Sequence, residues 1–188
     1  MDSQWEAAAP WVIFGGRIWK LTDFGDLEVP GTLIIGYGNL WRSDDGVGCR
    51  VAYELEQIYR DDADVEVIAS QQLTPEMADD VARSKFVLFL DAATGEKPGT
   101  LRQTRVSPHR GPSGFTHHLT PSSLLAAAEQ LYGDVPEAVS ITLAGWSLEL
   151  GSQLSPEAAH SFPEMIRLAK NAVERHRSMV AENLVPTK

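Results

Sequence analysis

Three side chains that can bind a divalent metal stand at comparable places along the chain: Asp45, Asp91 and His117. Each aspartate comes shortly after a predicted buried strand, and the histidine comes shortly before a predicted helix. Two carboxylates and one imidazole suit a metal such as Zn, Ni or Fe, with coordination positions left free for a substrate. Taken singly, each residue also fits a simpler interpretation, because aspartates often cap helices and loop histidines are often only solvated. Spacing alone leaves both interpretations open.

The segment before Asp45 has the pattern of a strand that turns sharply into a helix. Leu33 to Tyr37 is a short apolar run after a Pro-Gly pair, which is typical of a strand buried on both faces. The glycines of the following Gly-Tyr-Gly-Asn sequence favour a tight turn. We expect Ser43 or Asp44 to cap the next helix. The buried face of that helix is predicted to contain Val47, Val51, Leu55 and Ile58.

A nucleotide-binding turn is an alternative interpretation of the same segment. That fingerprint requires the pattern G-x-G-x-x-G, but Trp41 stands at the position of the third glycine. Asp44 and Asp45 also lie where phosphates would bind, and their negative charges would repel a dinucleotide. Both observations disfavour a nucleotide site.

The rest of the chain alternates between strand patterns and helix patterns. Further strands are predicted at 64–69, 86–90, 101–106 and 139–146. Helices are predicted to begin at Thr74-Pro75, Thr120-Pro121 and Ser155-Pro156, with Leu124, Leu125, Ala128 and Leu131 on the buried face of the second. This alternation predicts an α/β fold, a three-layer α/β/α sandwich with a mostly parallel central sheet. Right-handed crossovers would then bring Asp45 and Asp91 to the same edge of the sheet.

The first 30 residues differ in pattern from the remainder of the chain. Two short apolar runs, Trp11 to Phe14 and Arg17 to Leu21, flank a Gly-Gly pair, which predicts a β-hairpin. A hairpin is barely stable alone in water, so we expect it to cover part of the core or to contact a partner. The predicted organisation is an N-terminal hairpin extension at 1–30 and an α/β domain at 31–188.

Composition narrows the range of partners. The net charge of −10 argues against binding to nucleic acid or to an anionic membrane. The single cysteine, Cys49, cannot form an internal disulfide and falls on the predicted buried helix face, so we expect a core residue rather than a reactive thiol. Neither a membrane-spanning stretch nor a signal-peptide pattern is present, and the predicted location is the cytoplasm.

Several motifs of the chain resemble those of the NiFe-hydrogenase maturation endopeptidases. The sequences GYGN at 36–39 and SDDGVG at 43–48 resemble the opening signature of that family. The sequence LDA at 90–92 resembles the second motif, and His117 before the Leu-Leu pair at 124–125 resembles the third. The motifs arrive in the family's order, and the resemblance runs from about Thr32 to His176.

Two further stretches resemble one branch of the family. The sequence QLTPE at 72–76, and LELG at 148–151 with LSP at 154–156, are similar to the branch that serves bidirectional, NAD(P)-linked hydrogenases. The resemblance implies an endopeptidase, of the aspartic type, that removes the C-terminal extension of a hydrogenase large-subunit precursor after nickel has been inserted. Candidates for choosing the correct hydrogenase are the loop residues Gln71, Gln72 and Thr74.

The same resemblance implies roles for the three metal-binding candidates. Asp45, Asp91 and His117 would engage nickel that belongs to the substrate, so no permanent cofactor is expected. On chemical grounds Asp45 or Asp91 is also a candidate general base, and the sequence leaves the choice between these roles open. Two alternatives stay open at this point: a nickel-dependent checkpoint protein that does not cleave its partner, and a conventional metalloprotease with a metal of its own.

Overall fold

The computed structural model describes residues 30–109, 119–133 and 135–183, together with two short strands at 11–14 and 17–20. The strands are β1 (Trp11–Phe14), β2 (Arg17–Lys20), β3 (Thr32–Tyr37), β4 (Val65–Ser70), β5 (Phe86–Ala93), β6 (Leu101–Val106) and β7 (Glu137–Ala144). The helices are α1 (Val47–Ile58), α2 (Met77–Arg83), α3 (Pro121–Tyr132) and α4 (Pro156–Asn183). A short 3-10 helix (Ser43–Gly46) leads directly into α1.

Five of the strands form one sheet in the order β4-β3-β5-β7-β6. The pairs β3 with β4, β3 with β5, and β5 with β7 are parallel, while the edge strand β6 is antiparallel to β7. The central strands β3 and β5 are apolar almost throughout, as strands covered on both faces must be. The predicted α/β class and the mostly parallel sheet are both confirmed.

Helices cover the sheet on both faces, which gives the three predicted layers. One face packs against α1 and α4, in a core that includes Ile34, Leu88, Ile141, Val51 and Met165. The other face packs against α2 and α3, in a core that includes Leu33, Val87, Phe89, Val81 and Leu125. Successive residues of one strand enter opposite cores because side chains alternate across a sheet.

The contact between β3 and α1 depends on glycine. A Cβ on Gly48 would lie 2.2 Å from the backbone oxygen of Leu90 and 2.5 Å from that of Tyr37, closer than atoms can approach. The first turn of α1 therefore packs directly on the backbone at the ends of β3 and β5. Side chains that precede α1 are carried to the same edge of the sheet.

Predictions for the helix ends are partly right. Thr120 caps α3 in a reciprocal pair with Ser123, and Pro121 takes the first helical position, as the sequence predicts.

The expected cap at Thr74 is wrong, since α2 begins only at Met77, after a turn in which the Thr74 carbonyl accepts a hydrogen bond from the Met77 N–H. The expected cap of α1 is also wrong, because Gly46 holds that position and no side chain bonds there.

Two apolar residues at helix ends also differ from prediction. Ile58 in the last turn of α1 is 48% exposed, and Leu131 near the end of α3 is 67% exposed. The remaining residues of the two predicted faces are buried. Helical spacing continues to the last turn of each helix, but the burial does not extend that far.

The N-terminal strands form the predicted hairpin. Strands β1 and β2 pair antiparallel, with Phe14 opposite Arg17, so two residues connect them. The division into an extension at 1–30 and a domain at 31–188 stays a prediction. In the part of the chain that the structure describes, none of the helices combines the length and the apolar character needed to cross a membrane.

Candidate active site

A cavity of about 490 Å³ opens where β3 and β5 end. Its walls include both predicted aspartates, Asp45 and Asp91, and the loop residues Gln71 and Gln72. In an α/β sheet this is the edge at which ligands usually bind, because loops from several parallel strands meet there. The predicted meeting of the two carboxylates is therefore observed.

Asp45 is held in place by the turn that precedes it. One of its carboxylate oxygens, Oδ2, accepts a hydrogen bond of 2.9 Å from the Asn39 N–H, and the Asn39 side chain accepts from the Trp41 N–H at 2.9 Å. Gly38 has a φ of +131°, and a Cβ there would lie 1.9 Å from the Asp45 backbone oxygen. Among the described residues, no hydrogen bond engages the other carboxylate oxygen of Asp45, which leaves it free for a ligand.

Asp91 belongs to β5, directly after the buried residue Leu90. Its Oδ1 accepts a hydrogen bond of 2.7 Å from the Ala92 N–H, and its carboxylate also accepts one from the Tyr37 hydroxyl. Burial raises the pKa of Asp91 to about 6, against the effect of these two hydrogen bonds and with help from the nearby charge of Asp45. Asp91 can thus exchange a proton close to neutral pH.

Tyr37 is a site residue that the sequence analysis did not identify. It ends β3, next to β5, and it lines the cavity. Burial and the adjacent Asp91 carboxylate raise the pKa of its hydroxyl well above the ordinary value, so the hydroxyl stays protonated and donates. The parallel pairing of Gly36 with Leu90 is the signal that would have placed Tyr37 beside Asp91.

Comparison with known proteins gives this geometry a context. No protein-family model matches the chain. The hydrogenase 2 maturation protease of Escherichia coli (strain K12) is 29% identical over 115 residues, which cover 58% of this chain and 69% of that protein. The solved hydrogenase 2 maturation peptidase from Thaumarchaeota archaeon SCGC_AB-539-E09 is 26% identical, with a TM-score of 0.56 over 76% of this chain and 97% of that one.

The fold agrees with other solved structures. The hydrogenase maturating endopeptidase HybD from E. coli superposes with a TM-score of 0.61 at 23% identity, over 77% of this chain and 92% of that one. The maturation protease HycI from Thermococcus kodakarensis KOD1 superposes with a TM-score of 0.63 at 21% identity, over 82% and 98%. The chain is thus similar in sequence and in fold to hydrogenase maturation endopeptidases. The more specific assignment to the branch for bidirectional hydrogenases stays a prediction.

The third metal-binding candidate, His117, lies outside the described residues, and so does His118. Within the described ranges, no group of three His, Cys, Asp or Glu side chains is close enough to hold a metal. Leu119, Thr120 and Pro121 line the same cavity as the two aspartates. The assignment of His117 as a ligand stays a prediction.

The residues predicted to choose the substrate are divided between two positions. Gln71 and Gln72 are exposed and line the cavity, where an incoming peptide can contact them. Thr74 lies in the turn before α2 and is not among the described residues of the cavity wall. The structure therefore brings two of the three candidates to the two aspartates.

Cys49 is buried, as predicted, and is 2% exposed. Its Sγ donates to the backbone oxygen of Ser70 at 2.9 Å and lies 3.2 Å from that of Gly38. Burial raises the pKa of the Cys49 thiol to about 11, so the thiolate is scarce at neutral pH. The thiol ties the ends of β3 and β4 together and is not suited to act as a nucleophile.

Asp44 has a role that the sequence analysis missed. Its side chain is fully buried, and it accepts hydrogen bonds from the backbone N–H groups of Trp146, Ser147 and Ser155 and from the Ser155 hydroxyl, at 2.7–3.0 Å. Burial alone would raise the pKa of Asp44, but these hydrogen bonds outweigh it and hold the pKa below its ordinary value. Asp44 is thus an ionised anchor for the segment between β7 and α4.

Proposed function

We propose that this chain cleaves the C-terminal extension from the large-subunit precursor of a NiFe-hydrogenase after nickel has been inserted. Similarity to the maturation endopeptidases supports peptide hydrolysis as the reaction class. The observation that carries the proposal is the meeting of Asp45 and Asp91 in one cavity at the carboxyl edge of the sheet.

The two carboxylates favour binding of a cation in the cavity. Asp45 and Asp91 repel each other, which contributes to the raised pKa of Asp91, and a divalent ion between them would relieve that repulsion. Carboxylate oxygens and an imidazole nitrogen are acceptable ligands for nickel. His117 is the proposed third ligand, and it precedes the cavity residue Leu119 by two positions in the sequence. In this proposal the nickel arrives with the precursor.

Nickel carried by the substrate would also explain how an unfinished precursor is rejected. A precursor without nickel lacks the group that Asp45, Asp91 and His117 bind, so its affinity for the cavity falls. Discrimination then comes from a difference between two affinities rather than from a separate proofreading step. Cleavage before metal insertion would be avoided by the same residues that hold the substrate.

Hydrolysis requires an activated water and a polarised carbonyl. The substrate's nickel can polarise the scissile carbonyl or lower the pKa of a water. Asp91 can accept a proton near neutral pH, and Asp45 offers a second carboxylate on the same cavity wall, so either can serve as the general base. Cys49 is unsuited to be the nucleophile, which favours direct attack by water.

The proposal is tested by incubating the full chain with a purified, nickel-loaded large-subunit precursor and measuring the intact mass of the product. Wild-type protein should release a C-terminal peptide, while Asp45→Asn and Asp91→Asn should lose at least about 100-fold in rate. Asp61→Asn is the matched control, since Asp61 is an exposed carboxylate in the turn after α1. Stable binding of the loaded precursor without any cleavage would contradict the proposal and favour a checkpoint protein.

A further inference from the structure

The three most exposed large apolar side chains among the described residues lie close together along two short segments. Leu150 is 90% exposed, and Trp41 and Trp146 are each 71% exposed. Trp41 begins a segment at 41–43, while the other two belong to a segment at 146–151. Large apolar side chains that are concentrated in this way often mark a surface for another protein.

Backbone hydrogen bonds join the two segments that carry these side chains. Arg42 and Gly151 form a parallel bridge, in which the Ser43 N–H donates to the Gly151 oxygen at 2.8 Å and the Gly151 N–H donates to the Trp41 oxygen at 2.9 Å. This bridge brings the backbones of Trp41 and Leu150 close together, so the two exposed side chains lie on neighbouring segments of the surface. We call this pair the apolar ledge.

The ledge is held rigidly. The Arg42 Nε donates to the Leu148 oxygen at 3.0 Å, and the Ser43 hydroxyl donates to the Glu149 oxygen at 3.2 Å. The four hydrogen bonds to the Asp44 carboxylate fix both ends of the loop that carries Leu150. A surface that is ordered in advance loses little conformational entropy when a partner binds, so its apolar area contributes more fully to affinity.

The ledge adjoins, through the residues that flank Trp41, the cavity that holds the two aspartates. Trp41 lies between Asn39 and Arg42, and both of these residues line that cavity. A protein substrate is far larger than a cavity of about 490 Å³, so its chain must cross the rim to reach Asp45 and Asp91. The occupant that this position favours is therefore the substrate itself.

We infer that the apolar ledge of Trp41 and Leu150 is a docking surface for the precursor, which binds an apolar side chain close to the cleaved bond. This inference rests on the proposed function and adds a recognition element to it. Tryptophan is one of the three residue types, with tyrosine and arginine, that most often dominate the affinity of such contacts. The ledge binds the polypeptide of the precursor, whereas Asp45 and Asp91 bind the nickel that the precursor carries.

The inference predicts a change in substrate affinity without a change in chemistry. Trp41→Ala should raise the KM for the nickel-loaded precursor by about 10-fold to 100-fold, and Leu150→Ser should raise it by about 5-fold, with kcat close to wild type. Leu131→Ser is the matched control, because Leu131 is also a leucine exposed on the surface, near the end of α3. The melting temperatures of all three variants should stay near that of wild type.

Two results would overturn the inference while leaving the proposed function intact. One is a wild-type KM in both ledge variants. The other is a change in oligomeric state by sedimentation, with KM unchanged, which would assign the ledge to a second copy of the chain. If the wild-type protein cleaves nothing, the proposed function fails, but the Kd for the precursor still tests the ledge. Weaker binding of the precursor by Trp41→Ala than by wild type would support the ledge as a docking surface. Equal binding by the two proteins would refute it.

Discussion

Asp44 and Ser155 are 111 positions apart in the chain and are joined by two hydrogen bonds. The Ser155 N–H donates to one carboxylate oxygen of Asp44 at 2.7 Å, and the Ser155 hydroxyl donates to the other at 2.8 Å. Ser155 immediately precedes α4, while Asp44 lies in the 3-10 helix that leads into α1. The pair therefore links the starts of the two helices on one face of the sheet, beside the cavity.

Removal of the Asp44 carboxylate should weaken folding. Asp44→Ala leaves the N–H groups of Trp146, Ser147 and Ser155 without their buried acceptor, so the free energy of unfolding should fall by about 3 kcal/mol. Asp61→Asn, on the exposed turn after α1, should change it by less than about 0.5 kcal/mol. Urea denaturation measures both values. An unchanged urea midpoint for Asp44→Ala would show that the Asp44 carboxylate contributes nothing to the free energy of unfolding.

The same carboxylate should make stability depend on acid. The pKa of Asp44 is lowered in the folded protein, so its ionisation stabilises the fold above the unfolded pKa of about 3.9, and that contribution is lost as pH falls through the lower folded pKa. Asp44→Asn should therefore lose less stability than wild type between about pH 4 and pH 2. Parallel acid titrations of the two proteins by circular dichroism would reject this if the curves have the same shape.

Alanine variants of Gly38 and Gly95 distinguish the effect of backbone strain from the effect of displacing Asp45. Gly38 and Gly95 both have positive φ, but a Cβ on Gly38 would clash with the Asp45 backbone, whereas a Cβ on Gly95 meets nothing within 4 Å. Each alanine variant should cost about 1–2 kcal/mol from strain. Only Gly38→Ala should also abolish precursor cleavage. Equal activity of the two variants would contradict the role given to this turn.

The hydrogen bond from Tyr37 should help to position Asp91. Tyr37→Phe removes only the hydroxyl, and we expect the rate of precursor cleavage to fall by roughly 10-fold to 150-fold, as the loss of one hydrogen bond to a charged group implies. Tyr53→Phe is the control, because Tyr53 is half exposed on α1. Single-turnover cleavage gives the rate. Wild-type rates in Tyr37→Phe would mean that Asp91 needs no such support.

The thiol of Cys49 should resist modification in the folded protein. Because burial raises its pKa to about 11, the neutral thiol predominates up to about pH 10, and alkylating reagents need the thiolate. Iodoacetamide at pH 8 should label wild-type protein at least about 100-fold more slowly than the urea-unfolded chain. Rapid labelling of the folded protein would reopen the question of a cysteine nucleophile.

Local sequence patterns were enough to predict that Asp45 and Asp91 lie at the same edge of the sheet. A buried strand followed by a glycine turn and an acidic helix start, together with a second apolar strand ending near Asp91, was enough to place Asp45 and Asp91 at one edge. The physical reason is that parallel strands joined by right-handed crossovers share their carboxyl edge. That inference needs neither exact element boundaries nor the correct capping residue.

The features that sequence analysis missed depend on contacts between distant positions. Asp44 has the form of an ordinary helix cap, but its partners lie 102–111 positions away, and no local pattern identifies them. The apolar ledge likewise arises from the bridge between Arg42 and Gly151. Leu131 fits the buried face of α3 by spacing, but it lies beyond the packed part of the helix and is exposed.

Recognition of nickel carried by the substrate is the central part of the proposed function. The most direct test is intact-mass analysis of a large-subunit precursor, prepared with and without nickel, after incubation with the full chain. We predict that the nickel-loaded form loses a C-terminal peptide while the nickel-free form keeps its full mass. Cleavage of both forms at equal rates would contradict the claim, and so would the failure of the loaded form to be cleaved.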